Sequence, residues 1–347
     1  MNPLEAQLSY PFADLIPPPG STVEVVPGLS WLRMPLPFAL DHINLWLLDE
    51  GEAGWSLVDA GAGTDVTRAA WEQLFSNAMG NRPLQRVFAT HCHPDHVGLS
   101  GWLCERFDAR FWTSAAEFAF ARMMAAALPG VDGPSAVPHF QKHGLRDAAL
   151  LEQMQSRKNY YPSLVPTVPT AYTRLQDGQR VRIGATEWRV ITGFGHSPEH
   201  VSLYSEEWNV LLSGDMVLPR ISTNVSVFAV EPEGDPLRQY LESLDKFADL
   251  PEDTLVLPAH GKPFRGLHVR IAQLREHHAA RLEEVRMACA TPMSAVDIVP
   301  LMFRRQLDAH QLSFAIGEAL AHLHYLWLNG NLKRVTDNDG ILRFELY

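Results

Sequence analysis

The sequence predicts a protein of mixed α and β structure with a helical C-terminal region. Short apolar runs separated by Pro and Gly indicate a β-meander in residues 22–60. A helix from about Thr64 to Asn77 and an apolar run up to Thr90 then complete a β-α-β pattern. After Pro263, apolar residues fall at three- and four-residue spacings, which is typical of amphipathic helices.

Length and charge limit the classes of function. A chain of 347 residues favours one large domain with a small appendage. The formal net charge of −11 argues against nucleic acid as the main partner, because phosphate binding relies on Lys and Arg. The first twenty residues lack the features of a signal peptide, and no long uncharged apolar run suggests a membrane helix. We therefore expect a cytoplasmic protein that acts on a small molecule and has no membrane partner.

Four strands are expected in the meander. Their predicted ranges are Val23–Val26, Leu29–Met34, His42–Leu48 and Trp55–Asp59. The last strand leads into Asp59-Ala60-Gly61, which on its own is ordinary turn chemistry. Beyond the β-α-β unit, two strands at about 180–183 and 187–192 begin a second β-rich half.

The segment after the strand that ends near Thr90 concentrates three imidazoles and one carboxylate. His91 and His93 are two residues apart, so on an extended backbone their rings point the same way. Asp95 and His96 follow at the start of a helix. Mixed histidine and carboxylate ligands tolerate open coordination positions for water or substrate. The segment therefore predicts a catalytic metal site rather than a closed structural one.

Three more candidate ligands each follow an apolar, strand-like run. They are His196, Asp215 and His260. Loops after strands hold chemical groups on a rigid scaffold. With this ordered series of motifs, residues 22 to about 265 resemble the metallo-β-lactamase superfamily of binuclear metallohydrolases.

The resemblance implies a four-layer αββα sandwich in residues 1–265, with a helical insertion at about 114–176. It also implies two divalent metal ions, with zinc expected first and iron or manganese as alternatives. The ligands of the first ion would be His91, His93 and His196. Those of the second ion would be Asp95, His96 and His260. Asp215 would bridge the two ions.

The resemblance further implies a reaction and the residues that support it. A hydroxide shared by the metals would attack the carbonyl of a thioester, ester or lactone, as in glyoxalase II. Asp95 would orient this hydroxide and pass on its proton. Asp59 would accept a hydrogen bond from a ligand histidine, and His200 would stand behind the ligands. Cys92 would point away from the metals, because residues alternate along a strand.

The helical insertion is expected to contribute to the substrate pocket. Ser114–Glu117 matches a capping box that opens an apolar helix through Ala127. A second helix is expected from about Arg146 to Ser156. Candidates for the pocket lining are Tyr160, Tyr161, His139 and His143. Four further residues are candidates for binding a polar or anionic part of the substrate, and surface exposure is an equal alternative for each of them. They are Arg220, Ser222, Thr223 and Asn224.

The C-terminal region, residues 266–347, is expected to hold three helices and a β-hairpin. The helices should cover about 267–289, 293–302 and 308–328. This order resembles a winged-helix appendage found in some members of the superfamily. In a DNA-binding protein the last helix would carry Lys and Arg, but residues 311–328 contain neither. Packing or homodimer formation is therefore expected in preference to DNA binding.

Two other activities remain open at this stage. A persulfide dioxygenase uses a similar scaffold with one iron, and ligand types alone do not exclude it. His93 disfavours the flavodiiron variant, in which that position resembles Glu. Some winged-helix members resemble ribonucleases, but the acidic balance and the uncharged last helix count against that activity.

Overall fold

Two β-sheets form the centre of the molecule. The computed structural model describes residues 4–38 and 40–347, without the side chains of Ala309 and His310. The first sheet has seven strands, and their order in the sheet follows the chain. These strands are β1 (Val23–Val26), β2 (Leu29–Pro35), β3 (His42–Asp49), β4 (Trp55–Val58), β5 (Leu84–Phe88), β6 (Arg110–Thr113) and β7 (Thr173–Arg174).

The first sheet is antiparallel from β1 to β4 and parallel from β4 to β7. Parallel neighbours need a crossover connection. Helix α1 (Asp65–Ser76) connects β4 to β5, and α2 (Pro94–Val97) and α3 (Ser100–Phe107) connect β5 to β6. Thr64 caps α1, accepting a 3.2 Å hydrogen bond from the N–H of Thr67. The predicted meander and β-α-β unit are confirmed.

The second sheet has five strands. They are β8 (Arg180–Ile183), β9 (Thr186–Gly193), β10 (His200–Ser205), β11 (Val210–Gly214) and β12 (Leu255–Pro258). Their order in the sheet is β12-β11-β10-β9-β8. Only β11 and β12 pair in parallel within this sheet. Helix α8 (Pro236–Ser243) lies in the connection between them.

Three apolar clusters separate the layers of the fold. Trp46 and Trp188 belong to the cluster between the two sheets. Trp71 of α1 lies in the cluster on the outer face of the first sheet. Tyr240 and Leu274 lie in the cluster that joins the second sheet to the helices outside it. This layering confirms the predicted α+β fold with two sheets between helices.

The connection from β6 to β7 is helical, as expected. It contains α4 (Ala115–Ala125), α5 (Gly133–Lys142), α6 (Ala148–Gln155) and α7 (Tyr160–Leu164). Helix α5 is not predicted by the sequence pattern. Two prolines obscure its pattern: Pro134 lies in the first turn and Pro138 inside the helix. Asp132 caps it by accepting a 3.0 Å bond from the N–H of Ser135.

The C-terminal region folds as three helices and a hairpin, in the predicted order. The elements are α9 (Leu267–Ala288), α10 (Ala295–Met302), α11 (Ala309–Leu328), β13 (Lys333–Thr336) and β14 (Leu342–Glu345). Ser294 and Asp308 form capping boxes at the starts of α10 and α11. The apolar faces of these helices join the cluster that covers the second sheet.

Within the described residues, no helix has the length and apolar character needed to cross a membrane.

Candidate metal centre

Seven potential metal ligands meet at one end of the two sheets, and each follows the carboxyl end of a strand. They are His91, His93, Asp95 and His96 after β5, His196 after β9, Asp215 after β11 and His260 after β12. Strands β9, β11 and β12 run in the same direction, so the loops that follow them lie at one edge of the second sheet.

The seven residues divide into two groups. In the first, His91, His93, His196 and Asp215 bring their ligand atoms within 4.8 Å of one another. The Nε2 atom of His91 lies 2.9 Å from Nδ1 of His93 and 3.1 Å from Nε2 of His196. Ring nitrogens that lie this close together surround one small space, and a single cation fits into it.

Asp95, His96 and His260 form the second group, whose ligand atoms also lie within 4.8 Å of one another. Oδ2 of Asp95 is 3.4 Å from Nε2 of His260 and 3.7 Å from Nε2 of His96. Asp95 and His96 come from one turn of α2, while His260 comes from the other sheet. The second group therefore joins the two halves of the fold.

Asp215 stands between the groups. Its Oδ2 atom is 3.3 Å from Nε2 of His196 in the first group. Its Oδ1 atom is 3.7 Å from Nε2 of His96 and 3.5 Å from Nε2 of His260 in the second group. One carboxylate thus presents an oxygen to each group, which is the geometry that a bridging ligand requires.

Unsatisfied buried atoms fit the binding of cations. Nε2 of His96 and Oδ1 of Asp215 are buried without a hydrogen-bond partner among the described residues. Such atoms are costly unless something binds them. Burial lowers the pKa of His91 well below its usual range and that of His93 to about 3, so both imidazoles are held neutral. Neutral imidazole is the form that ligates a metal.

Negative charge accumulates around His96. Burial alone would lower the pKa of this imidazole, but the carboxylates of Asp59, Asp95 and Asp215 raise it to about 10. A proton on His96 therefore compensates part of the carboxylate charge. A divalent cation compensates the same charge more fully, so the residues present fit a metal.

Asp59 lies directly behind the second group. Its Oδ2 atom is 2.8 Å from Nδ1 of His96, and its Oδ1 atom accepts a 2.8 Å bond from the N–H of Thr90. The hydroxyl of Thr90 also donates to this carboxylate. These bonds fix the orientation of His96, which is what a residue behind a metal ligand would have to do.

Two other histidines each have their Nδ1 atom within hydrogen-bond distance of a backbone carbonyl. Nδ1 of His196 lies 2.8 Å from the carbonyl of Asn224, and Nδ1 of His260 lies 2.8 Å from that of His42. His200 acts differently, because its Nε2 accepts a 3.1 Å bond from the N–H of Asp215. It thereby positions the backbone of Asp215.

Glu117 supports the candidate ligands in a way that its sequence context does not predict. The sequence pattern predicts only that it is the partner in a capping box. Ser114 does accept a bond from the N–H of Glu117, but the Glu117 carboxylate turns to the ligand loops. It accepts bonds from the N–H of Cys92 at 2.8 Å, the hydroxyl of Ser197 at 2.6 Å and the N–H of Glu199 at 2.6 Å. One carboxylate thus ties the His91–His93 loop to the loop that carries His196.

Tyr161 holds the same peptide from the other side. Its hydroxyl donates to the carbonyl of Cys92, so both backbone polar groups of Cys92 are bound by the helical insertion. Tyr161 is buried and also lines a cavity beside His93. The thiol of Cys92 belongs to neither group of ligand atoms within the described chain.

Two adjoining cavities open beside the ligands. The larger encloses about 500 Å³ and reaches His93 and His196. The smaller encloses about 250 Å³ and reaches His93 and Tyr160. Their volumes suit a small-molecule site.

Other candidates from the sequence lie elsewhere. Arg220 is largely exposed, 3.9 Å from Glu5, and does not line either cavity. Asn224 also lies outside both linings, and its amide nitrogen is 3.3 Å from the carboxylate of Glu318. Thr223 is buried and donates to the carbonyl of Asp215, so it shapes the loop. Ser222 is half-buried and outside both linings.

His139 and His143 are also absent from the cavity linings. Both are buried, and their rings lie 4.8 Å apart. The ring of His143 is 6.4 Å from that of His324 on α11. These histidines therefore lie between the insertion and the C-terminal region.

Comparison with known proteins agrees with this geometry. The model of the metallo-beta-lactamase superfamily matches residues 39–260, and that of the metallo-beta-lactamase-like C-terminal domain matches residues 282–347. A beta-lactamase domain protein from Burkholderia ambifaria, known from its crystal structure, is 56% identical over 100% of both chains, with a TM-score of 0.94. A metallo-beta-lactamase family protein from Thermus thermophilus is 31% identical over 93% of this chain and 100% of that chain, with a TM-score of 0.78.

Two further relatives have names that describe activities. "Probable metallo-hydrolase YqjP" from Bacillus subtilis is 26% identical over 310 residues, covering 85% of this chain and 91% of that protein. An acyl-coenzyme A thioesterase from Gallus gallus is 30% identical over 194 residues, covering 55% of this chain and 63% of that protein. Since the superfamily model spans well over half of the sequence and includes the region of all seven clustered side chains, the chain belongs to the metallo-β-lactamase superfamily.

Proposed function

We propose that this protein is a metal-dependent hydrolase of thioester or ester bonds, with two divalent ions, zinc first, as cofactors. The observation that carries the proposal is the placement of Asp215, whose two oxygens face the two ligand groups. His91, His93 and His196 are assigned to one ion. Asp95, His96 and His260 are assigned to the other.

The bound ions would supply Lewis acidity, polarising the scissile carbonyl and lowering the pKa of water to about 7. The protein supplies orientation and a proton acceptor. Burial alone would raise the pKa of Asp95, but the charges of His96 and His260 lower it to about 2. Asp95 is therefore an anion at neutral pH. Its carboxylate can orient the attacking water, accept its proton and pass that proton to the leaving group.

A thioester is the first choice of substrate. The acyl-coenzyme A thioesterase from Gallus gallus shares 30% identity across 55% of this chain, including part of the superfamily domain. Apolar cavities beside His93 suit an acyl group better than a strongly polar substrate. Esters and lactones present the same carbonyl to the same groups and are the next substrates to test.

The first experiment measures metal content per chain on protein purified without chelator. The variants are His93→Ala and Asp215→Ala, with exposed His277→Ala and Asp339→Ala as matched controls. About two ions are expected in the wild type and the controls, and fewer in both site variants. Metal retained in both variants would contradict the ligand assignment, and a single iron would favour the dioxygenase instead.

The second experiment applies the metal-loaded protein to a panel of thioesters, esters, lactones and β-lactams. Hydrolysis of a thioester or ester that His93→Ala loses and His277→Ala keeps is the expected result. Absence of hydrolysis across the whole panel would reject the proposed function.

A further inference from the structure

The two cavities beside the ligands differ in character although they share a wall. His93, Met124, Ala136 and Phe228 line both of them. His93 is thus the candidate ligand that faces both spaces. A substrate whose scissile carbonyl lies at His93 can extend one part into each cavity.

The larger cavity is suited to an apolar group. Its side chains from the insertion and from the loops after β9 and β11 are mostly apolar. They include Phe120, Met124, Val131, Phe194, Val227 and Val230. Phe228 and Val230 remain 45% and 39% exposed, so an apolar ligand would remove their surface from water.

The charged residues distinguish the two cavities. Asp132 lines both cavities and Glu231 lines only the larger one, so the larger cavity has two acidic residues and the smaller has one. Arg157 and Lys158 line only the smaller one and are basic. The guanidinium of Arg157 is 4.1 Å from the ring centre of Tyr160, which holds it at the cavity wall. An anionic part of the substrate is therefore attracted to the smaller cavity and repelled from the larger one.

We infer that the substrate is a thioester that joins an apolar acyl chain to an anionic thiol. The acyl chain occupies the larger cavity, the carbonyl lies at His93, and the thiol moiety extends past Arg157 and Lys158. This inference rests on the proposed function. Hydrolysis forms a bond between the carbonyl carbon and a water oxygen and breaks the carbon–sulfur bond. The thiol leaves with one proton, and the carboxylic acid releases the other to solvent.

The acyl site is tested with coenzyme A thioesters of acetyl, butanoyl, octanoyl and dodecanoyl groups. Each buried methylene favours binding by up to about fourfold, so kcat/KM should rise at least about tenfold from acetyl to octanoyl. Ala136→Phe, which fills space shared by the cavities, should lower the ratio of kcat/KM for octanoyl to kcat/KM for acetyl to about threefold or less, because effects on the common thiol moiety cancel in this ratio. The matched control is Ala149→Phe, at an exposed position of α6 in the same insertion. Equal rates for all chain lengths would overturn the inference.

The thiol site is tested by comparing octanoyl-coenzyme A with the octanoyl thioester of N-acetylcysteamine, which is neutral. Lys158→Glu should lower the ratio of kcat/KM for the anionic substrate to kcat/KM for the neutral one by about tenfold or more. Lys142→Glu, exposed on α5 outside both cavities, is the matched control. Equal effects of Lys158→Glu on both substrates would overturn the placement of the thiol.

Failure of the inference can be separated from failure of the proposed function. If the enzyme hydrolyses thioesters with no dependence on chain length, the function stands and the inference falls. If no substrate of the panel is hydrolysed, the function falls, and calorimetry with dodecanoate tests the apolar cavity directly. Binding that Ala136→Phe abolishes and Ala149→Phe preserves supports the cavity assignment, whereas no binding to the wild type rejects it.

Discussion

Asp59 combines an uncommon backbone conformation with a central position behind the ligands. Its φ angle is 64°, in the left-handed region that side chains other than Gly seldom adopt. Asp tolerates this region better than most residues. The carboxylate is nearly fully buried and accepts hydrogen bonds from Thr90 while it contacts His96. The backbone strain is therefore retained where it directs a carboxylate at the candidate ligand His96.

Asp59→Asn should weaken metal binding while the fold remains. The amide keeps the shape but removes the charge that orients His96, and loss of such a contact costs about ten- to a hundredfold in metal affinity. Competition with a chromophoric chelator measures this change. Asp108→Asn is the control, because Asp108 also has a positive φ but lies at the C-terminus of α3. Unchanged affinity in Asp59→Asn would show that the contact does not orient the ligand.

Glu117→Gln should disturb the two ligand loops together. Burial raises the pKa of Glu117, and the bonds from Ser197 and the backbone of Glu199 oppose that shift. Since an amide nitrogen cannot accept these bonds, a buried donor loses its partner, at a cost of about 1–3 kcal/mol in unfolding free energy. Urea unfolding of metal-free protein measures the loss. Glu105→Gln, exposed on α3, should stay within about 0.5 kcal/mol, and an equal loss in both variants would contradict the role.

The clustering of the seven candidate ligands could be predicted from sequence, because each of them lies in a short loop that follows a strand. Glu117 could not be assigned in the same way. Its bond to Cys92 spans 25 positions and its bond to Ser197 spans 80. Both contacts depend on how the insertion folds back over the ligand loops. The bond from Tyr161 to Cys92 spans 69 positions and has no local signal either.

Helix α11 supports the loop that follows Asp215. Gly317 has no side chain, and its carbonyl accepts a 3.1 Å bond from the N–H of Val227. A Cβ atom at this position would lie 2.8 Å from both Cβ and Oγ of Ser226. The close approach therefore explains a glycine in the middle of a helix. It also connects the C-terminal region to a wall of both cavities, because Val227 lines them.

Gly317→Ala should destabilise the protein, although Ala favours an isolated helix by about 1 kcal/mol. The added methyl group must displace Ser226, and overpacking of this kind costs about 1–3 kcal/mol. Thermal unfolding and kcat/KM with octanoyl-coenzyme A are measured together. Ser226→Gly removes the obstructing atoms, so the double variant should recover at least about half of the loss. A stabilising effect of Gly317→Ala alone would contradict the contact.

Elements with complete local signals were predicted close to their observed bounds. The capping residues Ser294 and Asp308 mark the starts of α10 and α11. Helix α5 has no such clear sequence signal. Its prolines predict a break in the helix, but tertiary packing keeps this segment helical. Phe140 and His139 on α5 are buried in that packing. Local pattern therefore fails where an element depends on its neighbours.

Buried histidines lie where the C-terminal helices meet the rest of the chain. His143, which follows α5, approaches His324 of α11. His278 of α9 approaches His322 of α11, with Nδ1 and Nε2 3.3 Å apart. Burial lowers the pKa of His143 to about 3, that of His278 to about 3 and that of His322 to about 4. The packing of these regions thus requires neutral imidazoles.

These three histidines should therefore lower the stability of the protein in mild acid. In the unfolded chain these histidines bind protons below a pH of about 6.5. In the folded protein they stay neutral until the pH approaches 3 to 4. Between these limits the unfolded state binds more protons, so the stabilising contribution is fully present above pH 6.5 and is lost as the pH falls toward the folded values. Each histidine contributes at most about 1.4 kcal/mol per pH unit in this window.

His143→Gln isolates one of these contributions. Glutamine does not titrate, so the loss of unfolding free energy between pH 7.5 and pH 5 should be smaller than in the wild type by about 1–2 kcal/mol. Urea unfolding of metal-free protein at the two pH values measures the difference. Phe140→Leu, in the preceding helix, removes packing without a titrating group and should lower stability equally at both. If His143→Gln loses as much stability in acid as the wild type, His143 is not held neutral by its burial against the C-terminal helix.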